Sequence, residues 1–584
     1  ACPAETDVAR YVALVADGRY EDAYAVNLAD NVFPACVGHI CARPCEDACR
    51  RKYVDAPVGI RAVKRVAAER RREKAGSLRI TPAAPNGRTI AVVGAGVAGL
   101  SAARELALRG YRVTVYDRYP VPGGMLWAGV PAWRLPRDAI LDEVQAVTDL
   151  GVDIRYGIDV GRDILLSQLA AEHDALVIAT GCPTTLSLGL PGEELDGVVS
   201  GLHFLEQANL APETIDLRDQ RVVTIGGGFT SIDCVRSALR LGATQATLAY
   251  RRSLHEIPVD LDELEEAERE GVEFQFLVTP VRILEQSGRV SGVEFVRNRL
   301  EQPDESGRCA VTPLPGSGFV LPCDRVIVAI GQRASVDVDP EGLITDRQRR
   351  IAMDPTDEMR TVHPKIWMAG DVSAGPRNFI SAIADGKRVA VSIDAALEGA
   401  ESATLDAEII PLPVEGSRTA LRHRFDDIAT WSLTTPSRRL RWGDDYLSTP
   451  RETIPLRPIA ERGLDGSSPA QEVELGLSEK AALTAASRCL QCQLNIFIDP
   501  DSCILCNACV EVCPQQCIEM IVPDRLAAID DDAALAQAWT RDLAKRGAAM
   551  VIDEEACIRC GRCVDRCPTG SLTMAHFRPL AIAE

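Results

Sequence analysis

Cysteine is the residue that most openly carries chemistry in this chain. There are 20, of which five precede residue 50 and eleven follow residue 488. From Cys503 the chain reads CILCNACVEVCP and from Cys557 CIRCGRCVDRCP, two copies of one C-x2-C-x2-C-x3-C-P pattern. Thiolates at this spacing ligate iron–sulfur cubanes, and such a duplication does not arise by chance. Near the other end CARPCEDAC groups Cys41, Cys45 and Cys49, with Cys2 and Cys36 upstream. Zinc is the rival occupant there, because four thiolates suit either metal. Close-spaced cysteines in a long chain point to ligation in a reducing cytoplasm rather than to a disulfide scaffold. Cys36, Cys182, Cys234, Cys309, Cys323 and Cys517 fall outside the patterns and read as buried or structural thiols.

A second chemistry lies in glycine-rich turns. The stretch TIAVVGAGVAGLSAARELALRGYRVTVYDR, from Thr89 to Arg118, passes from an apolar strand through Gly94, Gly96 and Gly99 into an alanine-rich helix. A second strand then ends on Asp117. Glycines admit a pyrophosphate close to the backbone, the helix N-terminus supplies partial positive charge, and the acid takes a ribose hydroxyl. A dinucleotide is therefore expected here. Gly226, Gly227 and Gly228 repeat the pattern after Val222 to Ile225, with Ser231 in the third glycine's place. The next strand ends on Arg251 and Arg252 instead of an acid, which favours a 2′-phosphate and hence NADP, with NAD the alternative.

Longer motifs carry a family resemblance. FPACVGHICARPCEDAC, GAGVAGLSAARELALRGYRVTVYDR, PGGMLWAGVP, ALVIATG, VVTIGGGFTSIDCVRSALRLGA, AYRR, VIVAIGQ and IWMAGDV follow one another in order. Over roughly the first 400 residues the chain resembles the small subunit of bacterial glutamate synthase and its relatives, including the N-terminal half of dihydropyrimidine dehydrogenase. The paired cysteine runs resemble bacterial two-cluster ferredoxins. The resemblance implies FAD on the first turn, NADP on the second and 4Fe–4S clusters in the N-terminal part. It implies that Asp371, after Gly370, holds the ribityl chain and that the following helix points its N-terminus at the flavin. In the ferredoxin pattern the fourth cysteine crosses over, giving one cluster to Cys503, Cys506, Cys509 and Cys567, and the other to Cys557, Cys560, Cys563 and Cys513. In the family an RCxxC stretch precedes the cysteine matching Cys2; here it is Cys489 and Cys492, near the other end. These two are expected to fold back and join Cys49. Cys2, Cys41 and Cys45 form the other set, with Lys64 where relatives offer a polar ligand.

The elements that must position these groups suggest an α/β protein of nested Rossmann-like domains between iron–sulfur domains. We expect a helical iron–sulfur domain (1–80), an FAD domain in two parts (81–215 and 331–400), an NAD(P)H domain (216–330), a linker or docking segment (401–488) and a ferredoxin-like α+β domain (489–584). Arg61 to Lys74 reads as a solvated linker helix, and Asp530 to Gly547 as an insertion between the cysteine runs. The segment 401–488 fits a strap or a docking surface equally well. The chain starts at Ala1 inside a cysteine motif, so residues before it are expected. A net charge of −20 argues against nucleic acid and anionic membranes, and no apolar run reaches the length of a span, so a cytoplasmic protein is expected.

These features favour an electron-transfer flavoenzyme working between NAD(P)H and a ferredoxin or a catalytic or electron-accepting redox subunit. No side-chain nucleophile or general base is evident, since nicotinamide and flavin carry the chemistry. Glutamate synthase small subunit is the alternative. A disulfide reductase would need a CxxC beside the flavin, which residues 90–400 lack. A non-enzymatic conduit disagrees with the intact glycine turns.

Overall fold

The computed structural model describes residues 2–73, 82–303, 309–346, 348, 350–398, 449–464, 466–490, 494–498, 502–521, 548–553, 557 and 562–576. Lys74, Asp530 to Gly547, Cys492 and Cys560 lie outside them, as does the 401–448 stretch.

The apolar run Thr89–Val93 becomes an interior strand of a seven-stranded sheet, buried on both faces as a strand between helical layers must be. It pairs in parallel with Arg112–Asp117 on one side and Ala175–Ile178 on the other. Ile366–Met368 adds to Ala175–Ile178 after the chain has left and returned, so the first and last parts of the nucleotide region build one sheet. The excursion builds a five-stranded parallel sheet in the order Val198–Ser200, Arg325–Val328, Arg221–Ile225, Gln245–Tyr250, Val272–Phe276. An antiparallel hairpin layer, Val278–Gln286 to Phe319–Pro322, leans on this second sheet. The two units are joined at the antiparallel pair Thr184–Thr185 and Gln332–Arg333. Strand-and-helix units nested in this way are the expected α/β class.

Helices Val8–Ala16, Tyr20–Asp30, Pro34–Ile40, Pro44–Asp47 and Ile60–Glu73 precede the first strand. Helix Ile60–Glu73 corrects the sequence expectation of a solvated linker. Ala62, Val63, Val66 and Ala67 form a buried stripe, and Arg65 is buried against Glu69 and Glu472. Arg61 and Arg65 look solvent-bound only until Glu474 and Glu472, some 400 residues away, fold onto them. Near the C-terminus, Leu494–Ile498 pairs with Leu572–His576 and Ile518–Ile521 with Ala549–Ile552, the two ribbons of an α+β unit.

Residues 449–490 run as a strap over the other units. Helix Glu479–Ser487 packs on Val8–Ala16 and Ile60–Glu73. Arg488 donates to Asp55 at 2.8 Å and to the Ala56 and Pro57 carbonyls. Arg51 grips the same carboxylate and donates to the Arg488 carbonyl. Earlier in the strap, Glu474 meets Arg61, and the Val473 amide donates to the Trp133 carbonyl at 3.0 Å.

A buried charge network joins the strap to the second sheet unit. Glu270, wholly buried, accepts five hydrogen bonds from Arg236, Arg240 and Arg462. Arg134 of the first unit reaches across to Glu263 and Asp233 of the second, and Trp133 lies 4.3 Å from the Arg236 and Arg240 guanidiniums. Each buried charge is paired, which such burial requires. Burial works against the Glu270 charge, yet its arginines hold the carboxyl well below the usual range. Burial likewise opposes the charge of Glu263, but Arg134 and Arg236 lower it to about 2. Folded pKa values below the unfolded ones mean a contribution present above the ordinary glutamate range, near pH 4.3, and lost as pH falls toward 2. Denaturant midpoints of the folded chain should therefore decline through that window, and the decline should be shallower in Glu263→Gln.

Candidate dinucleotide and iron–sulfur sites

At the first glycine turn, side chains are excluded by the backbone itself. A Cβ at Gly99 would stand 1.9 Å from the Gly94 carbonyl oxygen, and one at Gly94 (φ +111°) would stand 2.4 Å from the Ala179 oxygen. Gly124, from the PGGM motif, has φ +53° and abuts Gly96, where a Cβ would meet the Gly96 Cα at 2.8 Å. Helix Val97–Leu108 follows with Gly96 as its N-cap and no capping side chain, which leaves its first amides for an anion.

Asp117 lies beside this turn and accepts the amides of Ala95 and Tyr119. Burial pushes its carboxyl up, and those two amides oppose the shift. The acid thus braces the turn in addition to facing the cavity, and each of its oxygens keeps a lone pair for a ligand. Gly370 has φ +78°, and a Cβ there would meet Ala98 Cβ at 2.7 Å. It turns Asp371 toward the cavity, where burial raises the carboxyl to about 6 against the pull of the Arg377 amide. Helix Phe379–Glu398 starts at the same wall, with Asn378, Phe379 and Ala382 lining it.

The second turn has the same logic. A Cβ at Gly226 would meet the Ala329 oxygen at 2.2 Å, and one at Gly227 the Tyr250 ring at 2.2 Å, whereas Gly228 has open space. Ser231 replaces the third glycine by turning its hydroxyl to the Ala329 carbonyl at 3.3 Å. Helix Phe229–Arg240 is again uncapped by any side chain. Arg251 is exposed, and no hydrogen bond or ion pair engages its guanidinium among the described residues. Arg252 is partly committed, since its Nε donates to the Cys309 carbonyl at 2.7 Å.

Both turns open into one cavity of about 1880 Å³, also lined by Asp117, Asp371, Arg251, Arg252 and Cys41. Pockets for single ligands are typically about 300–1,000 Å³. The residues present thus fit two extended nucleotides. Gly99 and Gly370 shape the wall without lining it.

The cysteines fall into groups. Cys45, Cys49 and Cys489 pack on one apolar core of the N-terminal helices, and Cys2 and Cys41 on the neighbouring one. The Arg488–Asp55 contact is what carries Cys489 there. Lys64 is buried over the Tyr11 ring, and Tyr11 feels burial first and then Cys45, Cys2 and Cys41, all raising its pKa. In the C-terminal unit Cys503, Cys506, Cys509 and Cys567 line one small cavity, three from the first run and one from the second. Burial opposes the Cys567 thiolate, but the Ser571 and Thr569 hydroxyls lower it to about 6, favouring the ligating form. Cys513, Cys557 and Cys563 pack on the same core, and the Cys517 sulfur lies 3.4 Å from that of Cys513. Among the described residues no three His, Cys, Asp or Glu side chains converge on one ion, whereas a cubane spreads its thiolates over separate irons. The strap's hold through Arg488, the Trp133 cluster and the Glu270 network were not anticipated from the sequence; only the RCxxC stretch hinted at the first.

Residues 88–386 match the family model for pyridine nucleotide-disulphide oxidoreductases. The chain belongs to that family. Residues 1–76 match dihydropyrimidine dehydrogenase domain II with its 4Fe-4S cluster, and 502–571 match the 4Fe-4S dicluster domain. Among similar proteins, the NADP(+)-dependent formate dehydrogenase subunit beta of Moorella thermoacetica is 37% identical over 84% of this chain and 69% of its own length. The NADPH-Fe(3+) oxidoreductase subunit beta of Geobacter sulfurreducens is 33% identical over 84% and 74%. The glutamate synthase [NADPH] small chain of Escherichia coli is 33% identical over 67% and 86%. With these matches the chain is an iron–sulfur flavoprotein oxidoreductase of the family, and among its described residues no helix is long and apolar enough to cross a membrane. Because the Gly99 contact is with backbone, Gly99→Ala should abolish flavin retention, read as the ratio of flavin to protein absorbance. Gly228→Ala meets no atom within 4 Å and should keep the flavin.

Proposed function

We propose that this chain moves electrons between NADPH and a protein redox partner, using FAD and 4Fe–4S clusters toward both ends of the chain. The observation that carries the reading is the single cavity lined by both glycine turns, Asp371 and Cys41. When bound, flavin accepts hydride and gives up single electrons, and clusters carry those electrons. The chain's own residues bind and orient. The uncapped amides after Gly96 and Gly228 receive the two pyrophosphates, Asp117 and Asp371 take hydroxyls of the first nucleotide, and Arg251 takes a 2′-phosphate with Arg252 in support.

The thiolates are assigned as Cys2, Cys41 and Cys45 in one set and Cys49, Cys489 and Cys492 in another. Cys503, Cys506, Cys509 and Cys567 form a third set, and Cys513, Cys557, Cys560 and Cys563 a fourth. Arg50, next to Cys49, donates to the Cys557 carbonyl at 2.9 Å, which supports the N-terminal sets running into the C-terminal pair. Cys506 is exposed and Ile504 beside it is 63% exposed, which suits the outer end of that series to a partner's surface. The named relatives are β subunits and a small chain, consistent with a place in a multi-subunit enzyme. The C-terminal dicluster match favours a redox partner over the glutamate synthase alternative. The domain division follows the sequence boundaries, with 449–488 assigned as a strap.

Anaerobic protein should bleach its flavin faster with NADPH than with NADH. Arg251→Ser should raise the KM for NADPH about tenfold or more, the loss of a charged hydrogen bond being worth about 1.5–3 kcal/mol, and leave NADH unaffected. Arg252→Ser should do less. NADH preference in the unaltered protein would refute the assignment.

A further inference from the structure

The covalent joint between the two nucleotide units is slight. It consists of the short antiparallel pair Thr184–Thr185 and Gln332–Arg333, and such a joint is a natural hinge. Beside the bonds of Tyr119 to Glu206 and of Arg137 to Asn209 on helix Gly201–Leu210, a second, non-covalent joint opposes rotation. Trp133, on the first unit's loop, is 3% exposed and lies 4.3 Å from both the Arg236 and Arg240 guanidiniums of the second unit. Its indole Nε1 donates to the Ser237 hydroxyl at 3.3 Å.

Behind this contact, Arg462 of the strap donates to Glu266 at 2.7 Å and to Glu270 at 2.9 Å, and Glu270 is the carboxylate that fixes Arg236 and Arg240 against the indole. The strap is tied elsewhere to the first unit, at the Trp133 carbonyl, and to the N-terminal helices through Glu474 and Arg61. We propose that Arg462 and Trp133 are positioning residues: the strap clamps the second nucleotide unit on the first, so that the nicotinamide and flavin sites face each other in one fixed orientation. Arg462 does not line the cavity, so its effect on hydride transfer must be indirect. Swinging the second unit on its hinge would strip Trp133 of its arginines and Arg134 of both Glu263 and Asp233, leaving a largely buried guanidinium without its carboxylates, which is strongly unfavourable.

The consequence for hydride transfer rests on the function proposed above, whereas the clamp itself does not. Arg462→Met leaves Glu270 with Arg236 and Arg240, and Glu266 with Arg269, so no carboxylate is stranded and the variant should fold. In anaerobic stopped flow at saturating NADPH, its flavin should bleach about tenfold more slowly, since small misplacements of reacting atoms cost rates of that order or more. The long-wavelength charge-transfer absorbance of stacked nicotinamide and flavin should weaken in parallel. Flavin content and NADPH affinity should stay within about twofold, and Arg462→Lys should recover part of the rate. Backbone amides at 132–135 and 229–240 should lose hydrogen-exchange protection in Arg462→Met. Unchanged bleaching, absorbance and exchange in a folded variant would overturn the proposal, as would a rate loss matched by equal loss of flavin. If NADPH fails to bleach the unaltered protein, the proposed function falls, and the exchange data alone decide the clamp.

Discussion

The nucleotide half of this protein depends on places where no side chain can fit. Gly94, Gly99 and Gly370 converge on the N-terminal end of one helix, and Gly386 presses on the same helix, where a Cβ would lie 2.3 Å from the Ala98 carbonyl oxygen. Because backbone meets backbone, helices Val97–Leu108 and Phe379–Glu398 approach closely and both begin at the cavity wall. The strand that returns after the second unit can then add to the first sheet, and Asp371 arrives opposite the turn from a position nearly 280 residues later. Local conformational freedom at a few glycines thereby sets the geometry of a site built from distant segments.

A second constraint is electrostatic. Charges are buried at the junctions between units: Glu270 with three arginines, Asp55 with Arg51 and Arg488, Lys387 with Asp30. Such pairs are weak as stability devices but strict about geometry, since separating them strands a charge in a dry interior. Their location suits a protein that must hold several redox sites in register. The N-terminal helices, both nucleotide units and the strap are linked by contacts of this type, and Cys41 reaches the nucleotide cavity as a result.

What could be read from the sequence was what is local. Glycine turns, uncapped helix starts and cysteine spacing are demands made by neighbouring atoms, so they leave short, ordered patterns. The doubly nested α/β layout followed from the order of those patterns. The choice between strap and docking surface did not, because Arg462, Glu474 and Arg488 find partners roughly 200 to 430 residues away, and such pairing has no periodicity to detect. Helix Ile60–Glu73 was misleading for the same reason: five arginines and a lysine dominate its composition, while its acidic partners Glu472 and Glu474 lie in the strap. Asp117 was expected to face a ribose, and its bracing of the Ala95 and Tyr119 amides was invisible until the turn closed around it.

The two halves of the proposed chemistry, hydride exchange in the cavity and one-electron carriage through the cysteines, require a connection within this one chain. Freeze-quenched electron paramagnetic resonance after mixing the anaerobic protein with NADPH tests that connection directly. Reduced iron–sulfur signals are expected to rise as the flavin reoxidises, within a single turnover and without any added partner. Flavin that bleaches fully while every cluster stays oxidised, although dithionite reduces those clusters, would contradict it.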